Sequence, residues 1–182
     1  MMGLLAARLL SRVAYERFLW PSEATAPAPT PPEPGWRADG VTESNVGDYP
    51  DSGILADLRA LLSKGDGGLY ARADREVTAR VWWQKGPGTV RGRGGLPLFR
   101  MQSGDALIHY CETRPAWRGR GIYPWLLQEA VLRLKAPGAR IWILSEPDNP
   151  ASRRGILKAG FQPKGTLEVS ACLGILSRRE SA

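Results

Sequence analysis

Two arginines and two glycines, Arg118-Gly119-Arg120-Gly121, form the stretch of the sequence best suited to chemistry. Glycine has no Cβ, so the backbone there turns sharply and approaches a ligand closely. The apolar spacing that follows predicts a helix, and the first N–H groups of a helix have no intrahelical acceptor. Those donors, the positive end of the helix dipole and the two guanidinium groups together attract an anion. The stretch therefore predicts a cradle for a phosphate or pyrophosphate.

Two familiar phosphate-binding motifs do not fit this stretch. The glycine spacing of the dinucleotide-binding fold is absent, and no Gly-Lys-Ser/Thr ending follows the loop. Downstream, residues 139–145 predict a strand. Residues 149–161 predict a helix that Asn149 caps and that Gly160 ends in a left-handed conformation. The order is thus strand, glycine loop, helix, strand and helix.

The loop and the second helix together resemble the acyl-CoA-binding region of the Gcn5-related N-acetyltransferase superfamily. Arg118, Gly121 and Tyr123 fall on the three defined positions of that loop, although a small residue is usual where Tyr123 stands. Residues 149–161 resemble the family's asparagine-led helix, which ends in Lys-x-Gly-Phe. The resemblance covers residues 105–161, and a generic strand–helix–strand unit with a glycine turn is the alternative.

This resemblance implies the acyl-CoA N-acyltransferase fold, which is mixed α/β with a mostly antiparallel twisted sheet flanked by helices. It also implies acetyl-CoA as the acyl donor, no metal, and transfer of the acetyl group by direct attack of an amine on the thioester. The acceptor is expected to be a small-molecule or peptide amine. The residues that the resemblance places at the cofactor are Cys111, Thr113, Arg118, Gly119, Arg120, Gly121, Ile122, Tyr123, Asn149 and Ser152.

Glu112 and His109 are the candidates for the general base, because the resemblance puts the reaction centre at the end of their strand. On an ideal strand, residues three apart face opposite sides, so the two do not easily serve together. Glu112 has an alternative role as the ion-pair partner of an arginine such as Arg114. Glu146, just after the next strand, is a further carboxylate on the cleft side.

The position of the general acid, which protonates the departing thiolate in the family's reaction, differs from the family pattern in this chain. Many relatives carry a tyrosine seven residues after the asparagine, and Ile156 stands there in this chain. Tyr123, Tyr110 or water is left to protonate the departing thiolate. Cys111 lies two residues after His109, a spacing more typical of packing neighbours on one strand face than of a thiol nucleophile with its base.

Hydrophobic periodicity predicts the elements that position these residues. Residues 105–113 predict a central strand, and the resemblance implies that this strand splays from residues 140–145 and exposes backbone groups to the pantetheine arm. Residues 86–95 predict a mobile loop near the acceptor site. The other predicted elements are a first strand at 36–42, a helix at 49–64, a hairpin at 69–73 and 77–84, and closing strands at 166–177.

The first part of the chain predicts two further segments. Residues 1–20 predict an amphipathic helix, since Leu5, Leu9 and Val13 recur at a spacing of four. This helix packs on the domain, lies on a membrane surface as a peripheral contact, or acts as a targeting peptide. Residues 21–35 are rich in proline and predict an extended linker, which leaves 36–182 as the acetyltransferase-like domain.

Composition limits the classes of function. The 182 residues carry a formal net charge of +7, which attracts polyanions and suits a cofactor with three phosphate groups. Nucleic acid is disfavoured as a partner, because no zinc finger, aromatic RNA-binding motif or recognition helix is present. His109 is the sole histidine, and Cys111 and Cys172 lack metal-site spacing. No apolar run is long enough to span a bilayer, and a cytoplasmic location is expected.

Three functions remain open from the sequence. The first is an acetyl-CoA-dependent N-acetyltransferase, and the second is a non-catalytic CoA-binding sensor or scaffold, which Ile156 favours slightly. Only turnover of an amine separates these two. The third is a basic adaptor for a membrane surface or nucleic acid, which predicts salt-sensitive binding of polyanions and no acyl-CoA preference.

Overall fold

The computed structural model describes residues 10–21, 28–172 and 175–181, and most of them lie in or against one large sheet. Ten strands and three α-helices occur in these ranges. The strands are β1 Leu10–Leu19, β2 Arg37–Gly40, β3 Gly67–Ala73, β4 Glu76–Lys85, β5 Gly88–Arg91, β6 Pro97–Met101, β7 Ala106–Thr113, β8 Ile141–Ser145, β9 Gln162–Cys172 and β10 Ile175–Ser181. The helices are α1 Leu55–Ser63, α2 Ile122–Leu134 and α3 Pro150–Ala159.

The large sheet has eight strands in the order β10-β9-β1-β8-β7-β4-β3-β2. Within it β7 and β8 pair in parallel, and the other neighbouring strands pair antiparallel. The two remaining strands, β5 and β6, form a separate hairpin. This mostly antiparallel sheet with flanking helices confirms the predicted fold class.

Both faces of the sheet are covered by apolar layers. Helices α2 and α3 cover one face through side chains such as Leu126, Val131 and Ile156. On the other face, α1 and the turns before it cover one half, where Leu58 and Trp82 are buried. The hairpin β5–β6 covers the second half. In β7, His109 and Tyr110 are not buried by these layers.

Local sequence signals set the ends of the two helices beside the cleft. Helix α2 follows Gly121, whose φ of 78° lies in the left-handed region that suits glycine. Helix α3 begins with Pro150, and the Asn149 side chain accepts the Ser152 backbone N–H at 3.0 Å. Gly160 ends α3 with a φ of 107°, as predicted.

The helix predicted for residues 1–20 is wrong for the part that the structure describes. Leu10–Leu19 is a strand in the interior of the sheet, paired with β8 on one side and β9 on the other. Apolar residues four positions apart lie on one face of a helix, which repeats every 3.6 residues, and also on one face of a strand, which repeats every two. The spacing of Leu5, Leu9 and Val13 therefore does not distinguish a helix from a strand. Val13 and Tyr15 pack under the hairpin, while Phe18 packs under the helices. Residues 1–9 lie outside the described residues.

Two consequences follow from this correction. The sheet crosses the predicted boundary at residue 36, because β1 precedes the linker and pairs with strands that follow it. The peripheral membrane contact proposed for an amphipathic helix has no such helix at residues 10–19 to rest on. Among the described residues, no helix combines the length and the apolar character that crossing a bilayer demands.

Smaller differences concern two other predicted segments. The helix expected at 49–64 begins only at Leu55, after two short 3₁₀ turns at Val46–Asp48 and Ser52–Ile54. The loop expected at 86–95 contains β5, which pairs with β6. The strand is held there because the apolar Val90 side chain is buried in the core.

Candidate active site

Strands β7 and β8 open into a V at the middle of the sheet. They pair in parallel only at Ala106–Ile108 with Ile141–Ile143, while β7 continues to Thr113. Beyond the paired part, the β7 edge that faces β8 has no ladder partner among the described strands, so its backbone groups are available to a ligand. A cleft of about 880 Å³ occupies this opening and extends to the first turns of α2 and α3. The predicted splay is thus present.

A β-bulge in β7 shapes the open end. Glu112 pairs with Arg80 and His109 with Trp82, so Tyr110 and Cys111 together stand opposite a single residue of β4. Tyr110 has a φ of 50°, which is uncommon for a side chain of its size. A bulge shifts the alternation of side chains by one, so His109 and Glu112 face the same side. The expectation that they face opposite sides is therefore wrong.

The glycine loop lies at the outer end of the cleft. Gly119 and Gly121 have φ values of 81° and 78°, which bend the chain into the first turn of α2. The Arg118 side chain folds back and donates to the Thr113 carbonyl at 3.0 Å, joining the loop to the end of β7. The Arg120 guanidinium stacks over the Trp117 ring at 4.7 Å. Both arginines are thus held beside the helix start.

Four cations border this end of the cleft without a carboxylate partner. Arg118, Arg154 and Lys158 line the cleft, and Arg120 lies on its loop. None of the four forms an ion pair with a carboxylate of the described residues, whereas Arg80, for example, does. Unpaired cations beside the free N–H groups of a helix start make an anion site. The geometry therefore supports the predicted phosphate cradle.

Tyr123 lies where the starts of α2 and α3 meet. Its ring packs against Gly155, where a Cβ would lie 2.3 Å from Tyr123 Cδ1. The hydroxyl is 3.4 Å from Ser152 Oγ, and burial raises the pKa of the phenol. The remaining residues predicted at the cofactor also line the cleft, apart from Arg120 on the loop itself: Cys111, Thr113, Arg118, Gly119, Gly121, Ile122, Tyr123, Asn149 and Ser152.

Cys111 is unsuited to nucleophilic catalysis. Its thiol donates to the His109 carbonyl at 3.4 Å, so it is not directed at the imidazole. Burial raises the pKa of the Cys111 thiol to about 12, which keeps it protonated at neutral pH. The geometry thus agrees with a packing role for Cys111.

Glu112 is held as a carboxylate by two donors. Its Oε2 accepts hydrogen bonds from Arg80 and from the Tyr49 hydroxyl, each at 2.8 Å. Burial alone raises the pKa of Glu112, but these hydrogen bonds and the Arg80 charge lower it overall. Arg114, the partner suggested by the sequence, pairs with Glu76 instead. Such a carboxylate is a weak base.

His109 has a different setting on the same face. Its Nε2 lies 3.2 Å from Asp66 Oδ2, and the side chain is one-quarter exposed. The adjacent Tyr110 hydroxyl donates to Asp57 at 3.2 Å. Glu146, on the other side of the cleft, pairs with Arg93 at 2.9 Å.

Arg80 and Tyr15 are among the site residues that were missed from the sequence. Arg80 is 7% exposed and stacks between the rings of Tyr49 and Tyr110, at 5.0 and 4.1 Å from their centroids. It also donates to the Tyr110 carbonyl at 2.8 Å, which fixes the bulge. A lone charge within the apolar run of β4 was the available signal. Tyr15 lines the cleft from β1 and was missed because β1 was expected to be helical.

The chain is similar to known proteins in structure but not detectably in sequence. No family model and no curated protein matches the sequence. The chain is similar to an acetyltransferase of the GNAT family from Colwellia psychrerythraea, with a TM-score of 0.59 and 11% identity over 95% of this chain and 57% of that one. It is similar to a GCN5-related N-acetyltransferase from Sphaerobacter thermophilus, with a TM-score of 0.57 and 19% identity over 98% and 55%.

A shorter relative is an aminoglycoside N-acetyltransferase in complex with CoA, with a TM-score of 0.51 and 18% identity over 69% of this chain and 91% of that one. The chain spans little more than half the length of the first two structures. At these identities the similarity establishes a shared fold, and the substrates of those proteins remain theirs.

Proposed function

We propose, from the fold that it shares with Gcn5-related N-acetyltransferases, that the chain is a member of that superfamily and transfers an acetyl group from acetyl-CoA to an amine. The observation that carries this proposal is the V between β7 and β8, which leads directly to the glycine loop at the start of α2. An unpaired strand edge suits the amide groups of pantetheine, and the unpaired cations suit phosphates.

Each part of the cofactor has a matching set of residues. The pyrophosphate lies at the Gly119–Gly121 loop and the first N–H groups of α2. The pantetheine arm bonds to main-chain groups of Cys111 and Thr113 on the β7 edge. Asn149 uses Oδ1 to cap α3, which leaves its Nδ2 donors for the arm. Ser152 and Tyr123 close the side of the cleft towards α3.

Acetyl-CoA supplies the thioester carbonyl that the amine attacks and the thiolate that departs. A backbone N–H of the β7 edge beside the bulge is the donor that polarises the carbonyl oxygen. His109 accepts the proton that the attacking amine loses, and Asp66 stabilises the resulting imidazolium. Water in the cleft returns a proton to the thiolate, because burial raises the pKa of the Tyr123 hydroxyl and makes it a weaker acid.

The acceptor enters from the face that carries α1, because His109 and Glu112 face that side. The cleft that Tyr15, His109 and Glu112 line admits a small molecule or the end of a peptide. The similarity to an aminoglycoside N-acetyltransferase supports a small-molecule amine as the first class to test.

One observation favours a second function. Ile156, at the position of the family's usual tyrosine acid, is fully buried in the core and contributes no polar group to the reaction. A non-catalytic acyl-CoA-binding module is therefore the alternative, with binding but without turnover.

The first test is calorimetric titration of acetyl-CoA into the wild-type chain and into a Gly121→Asp variant. Aspartate strains a backbone with a φ of 78° and puts a negative charge beside the phosphates, so we expect at least a tenfold loss of affinity. Gly138→Asp is the matched control, because Gly138 has a φ of 74° and open space around it, like Gly121. Equal binding by all three proteins would contradict the cofactor site.

The second step is release of free CoA thiol with a panel of amines that includes amino sugars, polyamines and peptide amines. Thiol release that depends on both acetyl-CoA and one class of amine supports the enzyme. Tight binding of acetyl-CoA without thiol release across the panel supports the non-catalytic alternative.

A further inference from the structure

Tyr15 lies across the V from the bulge in β7. On the β8 side Glu16 pairs with Ser145, so Tyr15 stands one residue further towards the open end. When the parallel ladder of β7 and β8 is continued by two residues, Tyr110 comes level with Ser145. The Tyr15 side chain lines the cleft. It therefore faces the place where the proposed reaction puts the thioester, and no step of that reaction uses it.

The turn of the hairpin β5–β6 holds the Tyr15 ring in place. The Arg93 backbone N–H donates to the Tyr15 hydroxyl at 3.1 Å. Gly92 lies against the ring, since a Cβ at Gly92 would be 3.0 Å from Tyr15 Cε2. The Arg93 side chain joins the same turn to Glu146 at 2.9 Å, on the other side of the ring's position. Tyr15 is thus a fixed part of the cleft wall.

Tyr15 and Leu144 separate the cleft from the apolar layer under the hairpin. Among the described residues, these are the two that both line the cleft and pack against the hairpin's buried cluster. That cluster includes Val90, Leu98 and Met101, each no more than 2% exposed. A ligand atom that passed this wall would leave the cleft and enter apolar surroundings.

The geometry of a thioester directs its acyl chain at this wall. The carbonyl carbon is trigonal, so its oxygen, its sulfur and its acyl chain point in three different directions in one plane. In the proposed reaction the oxygen points to the β7 edge, and the sulfur lies on the side of the glycine loop from which the pantetheine arm comes. The third direction leads to the β8 side of the V, where Leu144 and Tyr15 lie.

We propose that Tyr15 limits the length of the acyl group, so that the cleft accepts an acetyl group and excludes longer acyl chains. A ring held by the hairpin on one side and the sheet on the other does not yield to added methylene groups without strain. This inference rests on the function proposed above. It adds to that function the residue that selects the acyl donor.

The test compares the affinities of free CoA, acetyl-CoA and hexanoyl-CoA by calorimetry, which needs no acceptor. The wild type should bind hexanoyl-CoA about tenfold more weakly than acetyl-CoA, because the longer chain overpacks the wall. Tyr15→Ala should reverse this order, because the chain then reaches the apolar layer and each buried methylene group adds about fourfold in affinity. Free CoA has no acyl group, so its binding reports whether each variant is folded.

Phe99→Ala is the matched control. Phe99 packs in the same hairpin layer, with its ring 5.7 Å from that of Trp142, but does not line the cleft. This variant loosens the layer without opening the wall, so the preference for acetyl-CoA should stay as in the wild type. If Tyr15→Ala fails to bind free CoA, Tyr15→Leu takes its place. Leucine keeps more of the packing and should still weaken the preference several-fold.

The outcomes separate this inference from the proposed function. Equal affinity of the wild type for acetyl-CoA and hexanoyl-CoA overturns the acyl wall and leaves the proposed function intact. A Tyr15 variant that binds free CoA but keeps the wild-type preference also overturns the wall. So does an equal loss of preference in Phe99→Ala, which would assign the effect to a loosened hairpin. No binding of any of the three ligands to the wild type overturns the proposed function and this inference together.

Discussion

His109 and Glu112 lie on the same face of β7 but in different chemical settings. Glu112 accepts hydrogen bonds from Arg80 and Tyr49, and its pKa is lowered, so it holds a proton poorly. His109 lies beside Asp66, with its Nε2 3.2 Å from Asp66 Oδ2. We therefore propose His109 as the general base and give Glu112 the task of holding Arg80 against the bulge.

Replacement of each residue by glutamine tests this division with the amine that the panel identifies. His109→Gln removes the base and should lower kcat about a hundredfold with little change in KM for acetyl-CoA. Glu112→Gln keeps its hydrogen-bonding oxygen and should lower kcat less than tenfold. Steady-state kinetics measures both, and a larger loss in Glu112→Gln would reverse the assignment.

Residues whose conformation depends on their immediate neighbours were predictable from the sequence. Examples are the Asn149 cap and the left-handed glycines at positions 121 and 160. By contrast, the hydrogen bond from Arg80 to Glu112 joins residues that are 32 positions apart in the sequence. No local sequence signal marks the bulge that permits this bond. For this reason the conformation of the glycine loop was more predictable from the sequence than that of the β7 bulge.

At the scale of elements, β7 and β8 are paired at one end and separate at the other, which gives the opening between them its V shape. At the closed end Asp105, just before β7, accepts two hydrogen bonds from Arg140, just before β8, at 2.9 and 2.6 Å. Asp105 is 2% exposed and also accepts the Gln102 backbone N–H. At the open end the bulge turns β7 away from the ladder. The ion pair thus fixes the point from which the two strands diverge.

The Asp105–Arg140 pair predicts a specific dependence of stability on pH. Burial alone raises the pKa of Asp105, but Arg140 and the backbone N–H lower it overall below the usual 3.8. A carboxyl group whose pKa is lowered by folding stabilises the folded state at pH values above its unfolded-state pKa. This stabilisation is lost as the pH falls through the folded-state pKa. Asp105→Asn should therefore cost about 3 kcal/mol at pH 7, and the difference from wild type should shrink below pH 4.

Urea unfolding at a series of pH values between neutral and acid measures this difference. Asp74→Asn is the control, because Asp74 is exposed in the β3–β4 turn and its φ of 53° suits asparagine. A difference between wild type and Asp105→Asn that stays constant down to the lowest pH would contradict the role of the ion pair.

At the scale of the whole molecule, β1 joins two parts of the sheet. It pairs with β8 at one edge and β9 at the other, so β9 and β10 connect to the rest of the sheet through it. From the sequence, residues 1–20 are expected to form a helix outside the domain. A helix was expected because apolar residues four positions apart fit the repeat of a helix as well as that of a strand. The strands that pair with β1, namely β8 and β9, are remote in sequence, so no local signal marks the pairing.

Deletion of residues 1–20 distinguishes an accessory segment from an interior strand. The truncated chain should lose its cooperative thermal transition, because β8 and β9 each lose a complete ladder and Phe18 leaves the core. Circular dichroism on heating measures this, and a synthetic peptide of residues 1–20 should restore the transition. A truncated chain that melts at the wild-type temperature would show that β1 is dispensable.

The place of β1 also affects how the protein is made. Glu16 pairs with Ser145, so β1 leaves the ribosome well before β8 and β9, the two strands that it pairs with. Until then its backbone groups have no partner, and neither do the edges that it will join. Pairing between remote residues slows folding, and the middle of this sheet closes only after β8 and β9 have emerged. Chaperone demand and sensitivity to premature termination follow from a strand that is translated before both of its partners.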